Sequence, residues 1–262
     1  MNQSKPQGGN TVYVFADPTP IEGAPEIIRV YWKTGSRNRN AVDIRLRAGC
    51  TNPGVAAELV AIRYLVGKAH IFGRNKTGST LKLVFSTGAV KRLVKKTSDN
   101  TLSGYSLPFL TRYAGAEFGV SKDRSWFPSA EELAELGGVI QIDGEDFNGP
   151  EMIEAGEVGR IAITEHALNR YMDYTKAAGL GRAWISLKER LGRGLVCKPL
   201  KDGVTRHKLL KYGELPEIWG HPDSEMNFVL CPNHRGYKTL VTVYQRNPSE
   251  DVPTFVPGYV NR

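Results

Sequence analysis

The stretch from Pro53 to Gly67 limits the fold more than any other part of the sequence. Proline is well tolerated in the first turn of a helix, because the N–H it lacks would have no partner there. Apolar residues then recur at helical spacing, at Val55, Leu59, Ile62 and Val66. This pattern predicts an amphipathic helix that begins at Pro53, ends at Gly67 and lies with one face on a core.

Strand patterns surround this helix on both sides. Runs rich in β-branched and aromatic residues lie at 11–16, 27–33, 41–47 and 81–86. The third run alternates apolar with charged residues, which is typical of a half-buried strand in an antiparallel pair. Short helices are expected at 89–96 and 107–113.

The second half of the chain has a different pattern. Residues 129–159 combine a short acidic helix with a glycine-rich acidic stretch, which we interpret as a connector. Thr164 is then expected to cap a helix, followed by a second helix near 183–191 and strands near 195–198, 205–212, 227–231 and 239–246. We therefore predict an α+β protein, with a mixed sheet and helices in residues 1–125, an acidic connector in 126–160 and a small helix-helix-antiparallel sheet domain in 161–262.

Charge is distributed unevenly along the chain, whose formal net charge is +8. Residues 1–120 carry 17 Lys and Arg against 7 Asp and Glu, residues 121–160 carry 3 against 10, and residues 161–262 carry 15 against 10. Two basic blocks are expected of a polyanion binder, so nucleic acid is the predicted partner, with RNA favoured and DNA left open. The alternative interpretation is that scattered charges serve solubility alone.

Composition excludes several classes of protein. The longest apolar runs fall far short of the roughly 20 residues of a membrane span, and the first ten residues are too polar for a signal peptide. Cys50, Cys197 and Cys231 are odd in number and widely spaced, which favours free thiols in a reducing compartment. A cytoplasmic protein without a membrane partner is expected, and the oligomeric state stays open.

The order of three strands, a helix with a glutamate and a strand ending in Ser-Thr, with the stretch AGCTNPGVAAELVAIRYLV, resembles ribonuclease H-like domains. The resemblance covers about residues 11–113. It implies carboxylates from the first strand, the helix and the end of the fourth strand, which together hold two divalent ions. Asp17 matches the first carboxylate and Glu58 the second, whereas Gly88 stands where the third is expected.

This departure argues against a working metal site. Two carboxylates hold a single Mg²⁺ only loosely, so no cofactor is expected, and Asp123 matches a late fourth acid by position alone. The alternative interpretation is that Asp17 is a turn residue and Glu58 a solvated helix residue. A basic surface without the metal is suited to phosphate contacts, and the residues proposed for it are Arg45, Arg47, Lys82, Lys91, Arg92, Lys95, Lys96, Arg235 and Lys238. Tyr105, Tyr113 and Trp126 are the aromatic residues expected to stack on unpaired bases.

The segments ITEHALNRYMDY, AWISLKERL and TLVTVYQR resemble the barnase and RelE-like ribonuclease fold over about residues 161–246. The resemblance implies a metal-independent ribonuclease, in which histidine, arginine and tyrosine supply the base, the cation and the acid. The candidate catalytic residues are His166, Arg170, Arg206, His207 and Tyr244. His166 as an ordinary first-turn helix residue and Tyr244 as a core aromatic form the alternative. Cys231 and His234 also have the spacing of half a zinc site.

Three functions remain open from the sequence. The favoured hypothesis is an RNA-binding protein built on two ribonuclease-like folds, with a degenerate N-terminal metal site. The second is an active endoribonuclease with a catalytic C-terminal domain. The third is a protein-interaction scaffold, of a phage or mobile element, whose acidic segment contacts a basic partner.

Overall fold

A computed structural model describes residues 10–19, 21–95, 102–198 and 215–245. The predicted α+β class is confirmed. The chain divides into two compact units, 1–150 and 151–262, and each contains a six-stranded mixed sheet.

The strands in the described part of the chain are β1 Asn10–Ala16, β2 Ile27–Lys33, β3 Arg39–Arg45, β4 Leu81–Phe85, β5 Glu117–Val120, β6 Ile140–Asp143, β7 Met152–Glu154, β8 Arg160–Ile163, β9 Val196–Lys198, β10 Glu217–Gly220, β11 Met226–Pro232 and β12 Lys238–Gln245. The α-helices are α1 Pro53–Ile62, α2 Ala89–Val94, α3 Ser103–Ser106, α4 Ala130–Glu135, α5 Glu165–Thr175 and α6 Leu180–Leu191.

The first sheet has the strand order β5-β4-β1-β2-β3-β6. β2 is antiparallel to both β1 and β3, while β4 is parallel to β1 and to β5. This topology resembles that of ribonuclease H-like domains. β6 pairs in parallel with β3 and extends the sheet by one strand.

Helix α1 begins at Pro53 as predicted, but over Ala56–Ile62 it is buried on all sides and not on one face only. Its residues from Ala56 to Ile62 are all buried, and they pack with the inward side chains of β1 to β4 in one core. The helix continues as a π-helix, Arg63–Lys68, past the predicted end at Gly67. A Cβ at Gly67 would lie 3.0 Å from the Tyr113 hydroxyl, so this close approach explains the glycine.

The acidic segment supplies elements to both units. Ser129 caps α4 through a reciprocal capping box with Glu132, whose carboxylate accepts a 2.8 Å bond from the Ser129 N–H. β6 belongs to the first sheet and β7 to the second. The segment therefore forms an edge strand in each unit.

The second sheet has the order β7-β8-β12-β11-β10-β9, in which β9 to β12 form an antiparallel meander. Helices α5 and α6 pack against this sheet in a core that includes Tyr171, Trp184 and Phe228. Thr164 caps α5 as predicted, since its hydroxyl accepts a 3.1 Å bond from the Ala167 N–H. The predicted strand at 205–212 lies outside the described residues.

Two expectations about the chemistry of the chain have a structural outcome. Cys50, Cys197 and Cys231 are free thiols. Within the described ranges, no helix combines the length and the apolar character needed to cross a membrane.

Candidate nucleic-acid interface

The candidate interface lies at one edge of the first sheet. β1, β3, β4, β5 and β6 all run in the same direction, because only β2 is antiparallel to its neighbours. The carboxyl ends of these five strands therefore meet at the same edge, which we call the carboxyl edge. In open sheets of parallel strands, ligands are generally bound at this edge.

Glu58 joins the ends of β1 and β4 from the middle of α1. Its Oε1 atom accepts a 3.0 Å hydrogen bond from the Ala16 N–H, and the Ser86 N–H lies 3.3 Å from both carboxylate oxygens. The neighbouring Asp17 N–H donates to the Arg29 carbonyl of β2, so the Ala16 N–H is directed to the opposite side of the strand. The Glu58 carboxylate thus accepts hydrogen bonds from the backbone N–H groups that follow the paired part of β1 and β4.

The Glu58 side chain is completely buried. Burial raises its pKa from 4.5 to about 7, because the loss of water outweighs the hydrogen bonds from Ser86 and Ala16 that favour the charged form. Glu58 is therefore a structural acceptor for backbone N–H groups. The interpretation of Glu58 as a solvated helix residue is wrong.

Asp17 lies at the end of β1, as predicted, but it forms a turn. Its Oδ1 atom accepts a 2.9 Å bond from the Thr19 N–H, and the side chain is half-buried. Gly88 precedes α2, and a Cβ added there would meet no atom within 4 Å. Across the described ranges, no group of three or more histidine, cysteine or acidic side chains is placed to hold a metal ion.

Asp123, which matches a late fourth acid by position, accepts hydrogen bonds from a residue close to it in the chain. Its Oδ1 atom accepts bonds from the Ser125 N–H at 2.9 Å and the Ser125 hydroxyl at 2.7 Å. The bonds from Ser125 lower the pKa of Asp123.

Basic side chains lie at the β3 and β4 ends of the carboxyl edge, whereas β6 ends there in exposed Asp143, the register partner of Arg45. β3 ends at Arg45, and Arg47 follows two residues later; both side chains are exposed. Helix α2 follows directly after β4 and exposes Lys91 and Arg92, with Lys95 at its C-cap. Sheet topology therefore brings five of the predicted phosphate-binding residues to one edge. Lys96 lies outside the described residues.

Two more predicted cations are held in ion pairs. Lys82 lies near the start of β4, away from the carboxyl edge, and its Nζ atom is 2.6 Å from Glu117 Oε1. Lys238 Nζ is 2.6 Å from Glu217 Oε2 and stacks over the Trp219 ring. Both ammonium groups therefore already have a carboxylate partner within the protein.

Arg235 lies at the tip of the β11–β12 hairpin, where its side chain is exposed. The tip is closed by a 2.8 Å bond from the Asn233 N–H to the Tyr237 carbonyl. Arg235 belongs to the second unit, whose sheet is not the one that forms the carboxyl edge.

Lys122 is a cation of this edge that sequence reasoning missed. The Ser121 N–H donates a 3.0 Å bond to the Phe85 carbonyl, so the residues that follow β5 are held beside the end of β4. This contact places Lys122, which is exposed, at the carboxyl edge. β5 has only four residues and no clear alternation, so no sequence signal connected Lys122 with the interface.

The prediction that Tyr105, Tyr113 and Trp126 stack on bases is wrong. Their exposed fractions are 4%, 0% and 8%, so these rings belong to the protein interior. Trp126 packs against Phe127, and the Lys33 ammonium lies 4.8 Å from its ring centroid. Among the described residues, no aromatic side chain is exposed.

The candidate catalytic residues of the second unit are partly brought together. His166 Nε2 lies 3.4 Å from the Thr242 hydroxyl of β12, two residues before Tyr244 on that strand. Residues two apart share a strand face, so Tyr244 follows Thr242 on the same face. Arg170 is exposed on α5 and donates a 2.6 Å bond to the Tyr174 hydroxyl. Arg206 and His207 lie outside the described residues.

Comparison with known proteins adds no closer assignment. No protein-family model matches the chain, and neither a curated protein nor a solved structure matches it significantly.

Proposed function

We propose that this protein binds the sugar-phosphate backbone of RNA through the carboxyl edge of its first sheet, without a bound metal ion. The observation that carries the proposal is the grouping of exposed cations there, on the β3 end and on α2. Phosphate contacts from lysine and arginine supply affinity without sequence readout.

The state of Glu58 supports binding in place of metal-dependent cleavage. A two-metal site needs several carboxylates free to reach the ions. Glu58 is instead buried and accepts two backbone N–H groups, while Gly88 has no side chain. After β4, where the resemblance requires a carboxylate, the chain therefore carries the cations of α2 instead.

The test compares two double variants of the full chain. In the first, Lys91→Gln and Lys95→Gln remove two cations of the carboxyl edge. In the control, Lys68→Gln and Arg74→Gln remove two exposed cations from the opposite edge of the sheet. Lys68 ends the π-helix that continues α1, and Arg74 lies in the loop that leads to the start of β4. Binding of a labelled RNA is measured by fluorescence anisotropy over a range of salt concentrations.

The carboxyl-edge variant is expected to lower RNA affinity about tenfold at low salt and to reduce the salt slope by about one to two, because two phosphate contacts are lost. The control is expected to retain the wild-type slope. Equal effects of the two double variants, or no RNA binding by the wild type, would contradict the proposal. A parallel titration with DNA duplex tests whether RNA is preferred.

The second candidate, a metal-independent endoribonuclease, is favoured by the contact between His166 and Thr242. A histidine side chain beside the sheet is a residue type suited to proton transfer from a 2′-OH. It predicts RNA fragments with 2′,3′-cyclic phosphate ends in EDTA, which persist in His70→Asn and disappear in His166→Ala. Intact RNA after prolonged incubation would exclude it.

A further inference from the structure

The outer edge of β6 is an open strand edge with one exposed apolar side chain, Ile140. β6 ends the strand order of the first sheet and pairs with β3, and in the described part of the chain no strand pairs with its other side. An edge strand presents backbone N–H and C=O groups to any extended chain that approaches it.

Two apolar side chains lie at this edge and before it. Ile140, the first residue of β6, is 54% exposed, and Leu136, four residues earlier, is 48% exposed. They are the most exposed large hydrophobic side chains of the described residues. Two exposed apolar side chains beside an unpaired strand edge offer apolar contact to an extended chain that adds to that edge.

The acidic residues around β6 favour a positively charged partner at this edge. Residues 129–150 contain six acidic residues and no lysine or arginine, although the whole chain has a net charge of +8. Glu135, immediately before Leu136, and Gln141 and Asp143 within β6 are exposed. A second copy of this edge would bring like charges together, which disfavours pairing of the chain with itself.

We propose that the β6 edge binds an extended, positively charged segment of a protein partner by strand addition. Main-chain hydrogen bonds to β6 supply affinity, alternate apolar side chains of the partner cover Ile140, and its basic residues face the acidic surroundings. This function uses the outer side of β6, whereas RNA binding is proposed for the β3 and β4 ends of the carboxyl edge. It gives the acidic segment a role that RNA binding does not explain.

The experiment uses the full chain and a fluorescein-labelled peptide of alternating lysine and valine. One control peptide replaces lysine with glutamate, and another carries N-methyl groups on alternate backbone nitrogens. The matched protein variants are Ile140→Ser and Val120→Ser. Val120 is 45% exposed and ends β5, the strand at the other edge of the same sheet.

The lysine-valine peptide is expected to bind the wild type and Val120→Ser equally. Affinity is expected to fall about tenfold on N-methylation and in Ile140→Ser, because lost main-chain hydrogen bonds or lost apolar contact each cost roughly a factor of ten. Equal binding of the N-methylated peptide would show simple charge attraction and overturn the proposal. Equal loss in Val120→Ser would overturn it too.

Two further measurements test the other occupants. Light scattering of the wild type is expected to show a molar mass that does not rise with protein concentration. A dimer that forms at high concentration and is lost in Ile140→Ser would show that a second copy of the chain occupies the edge, and would overturn the proposal. RNA affinity is expected to be the same in Ile140→Ser and the wild type. A loss of RNA binding in this variant would assign the edge to nucleic acid and overturn the proposal.

Discussion

The backbone N–H of Ala16 donates a 3.0 Å hydrogen bond to the Oε1 atom of Glu58, 42 residues further along the chain. This bond connects the end of β1 to the middle of α1, and the Ser86 N–H connects the same carboxylate to β4. A residue with the sequence position of a metal ligand therefore holds the sheet together at the carboxyl edge.

Glu58→Gln is expected to change how stability depends on pH. The pKa of Glu58 in the folded protein is about 7, above the ordinary value of 4.5 that applies to the unfolded chain. Between pH 4.5 and 7 the folded state therefore binds more protons than the unfolded state. The stability that Glu58 contributes is present below pH 4.5 and is lost as pH rises through 7, by about 3 kcal/mol. Glutamine does not titrate, so urea unfolding at pH 5 and pH 8 should show a smaller loss in the variant. Parallel losses in both proteins would contradict the assignment.

Gly88→Asp restores the acidic residue type that the resemblance places after β4. The substitution is expected to change the free energy of unfolding by less than about 1 kcal/mol, because φ is −77° and a Cβ meets no neighbour within 4 Å. We expect no Mg²⁺-dependent hydrolysis of RNA, because Glu58 remains bound to backbone N–H groups. RNA cleavage by Gly88→Asp that requires Mg²⁺ and is abolished by EDTA would contradict this expectation. It would show that the wild type lacks activity only because this carboxylate is missing.

Thr164→Val is expected to destabilise the second unit by about 1–2 kcal/mol. The hydroxyl accepts from the Ala167 N–H and donates a 2.9 Å bond to the Leu240 carbonyl, so it joins the start of α5 to β12. Thr164→Ser keeps the hydroxyl and should retain most of the stability. Thermal unfolding of both variants is followed by circular dichroism. Equal melting temperatures of Thr164→Val and the wild type would contradict a stabilising role of the Thr164 hydroxyl.

Lys82 and Lys95 are expected to differ in their contribution to RNA binding. Lys82→Gln breaks the ion pair with Glu117 and should leave RNA affinity within about twofold of the wild type, since that pair lies near the start of β4. Lys95→Gln should weaken binding and reduce the salt slope by about 0.7–0.9, the value for one phosphate contact. Anisotropy titrations at three salt concentrations compare them; a larger effect of Lys82→Gln would move the interface away from the carboxyl edge.

Several local features could be read directly from the sequence. The start of α1 at Pro53, the cap of α5 at Thr164 and strands β1, β2 and β4 were predicted, because each depends on short-range periodicity or capping. The short strands β5, β6, β7, β8 and β10 were missed. Three or four residues carry little local signal, and these strands form because neighbouring strands supply hydrogen bonds.

Residue type and order along the chain were enough to predict two basic regions, an incomplete set of carboxylates and an α+β fold. Only the packed structure decided that Glu58 is buried, that Lys82 is paired with Glu117, and that Arg47 and Lys95 share one edge. These relationships join residues more than 30 positions apart. They depend on strand pairing and on the exclusion of water, which no local pattern of residues encodes.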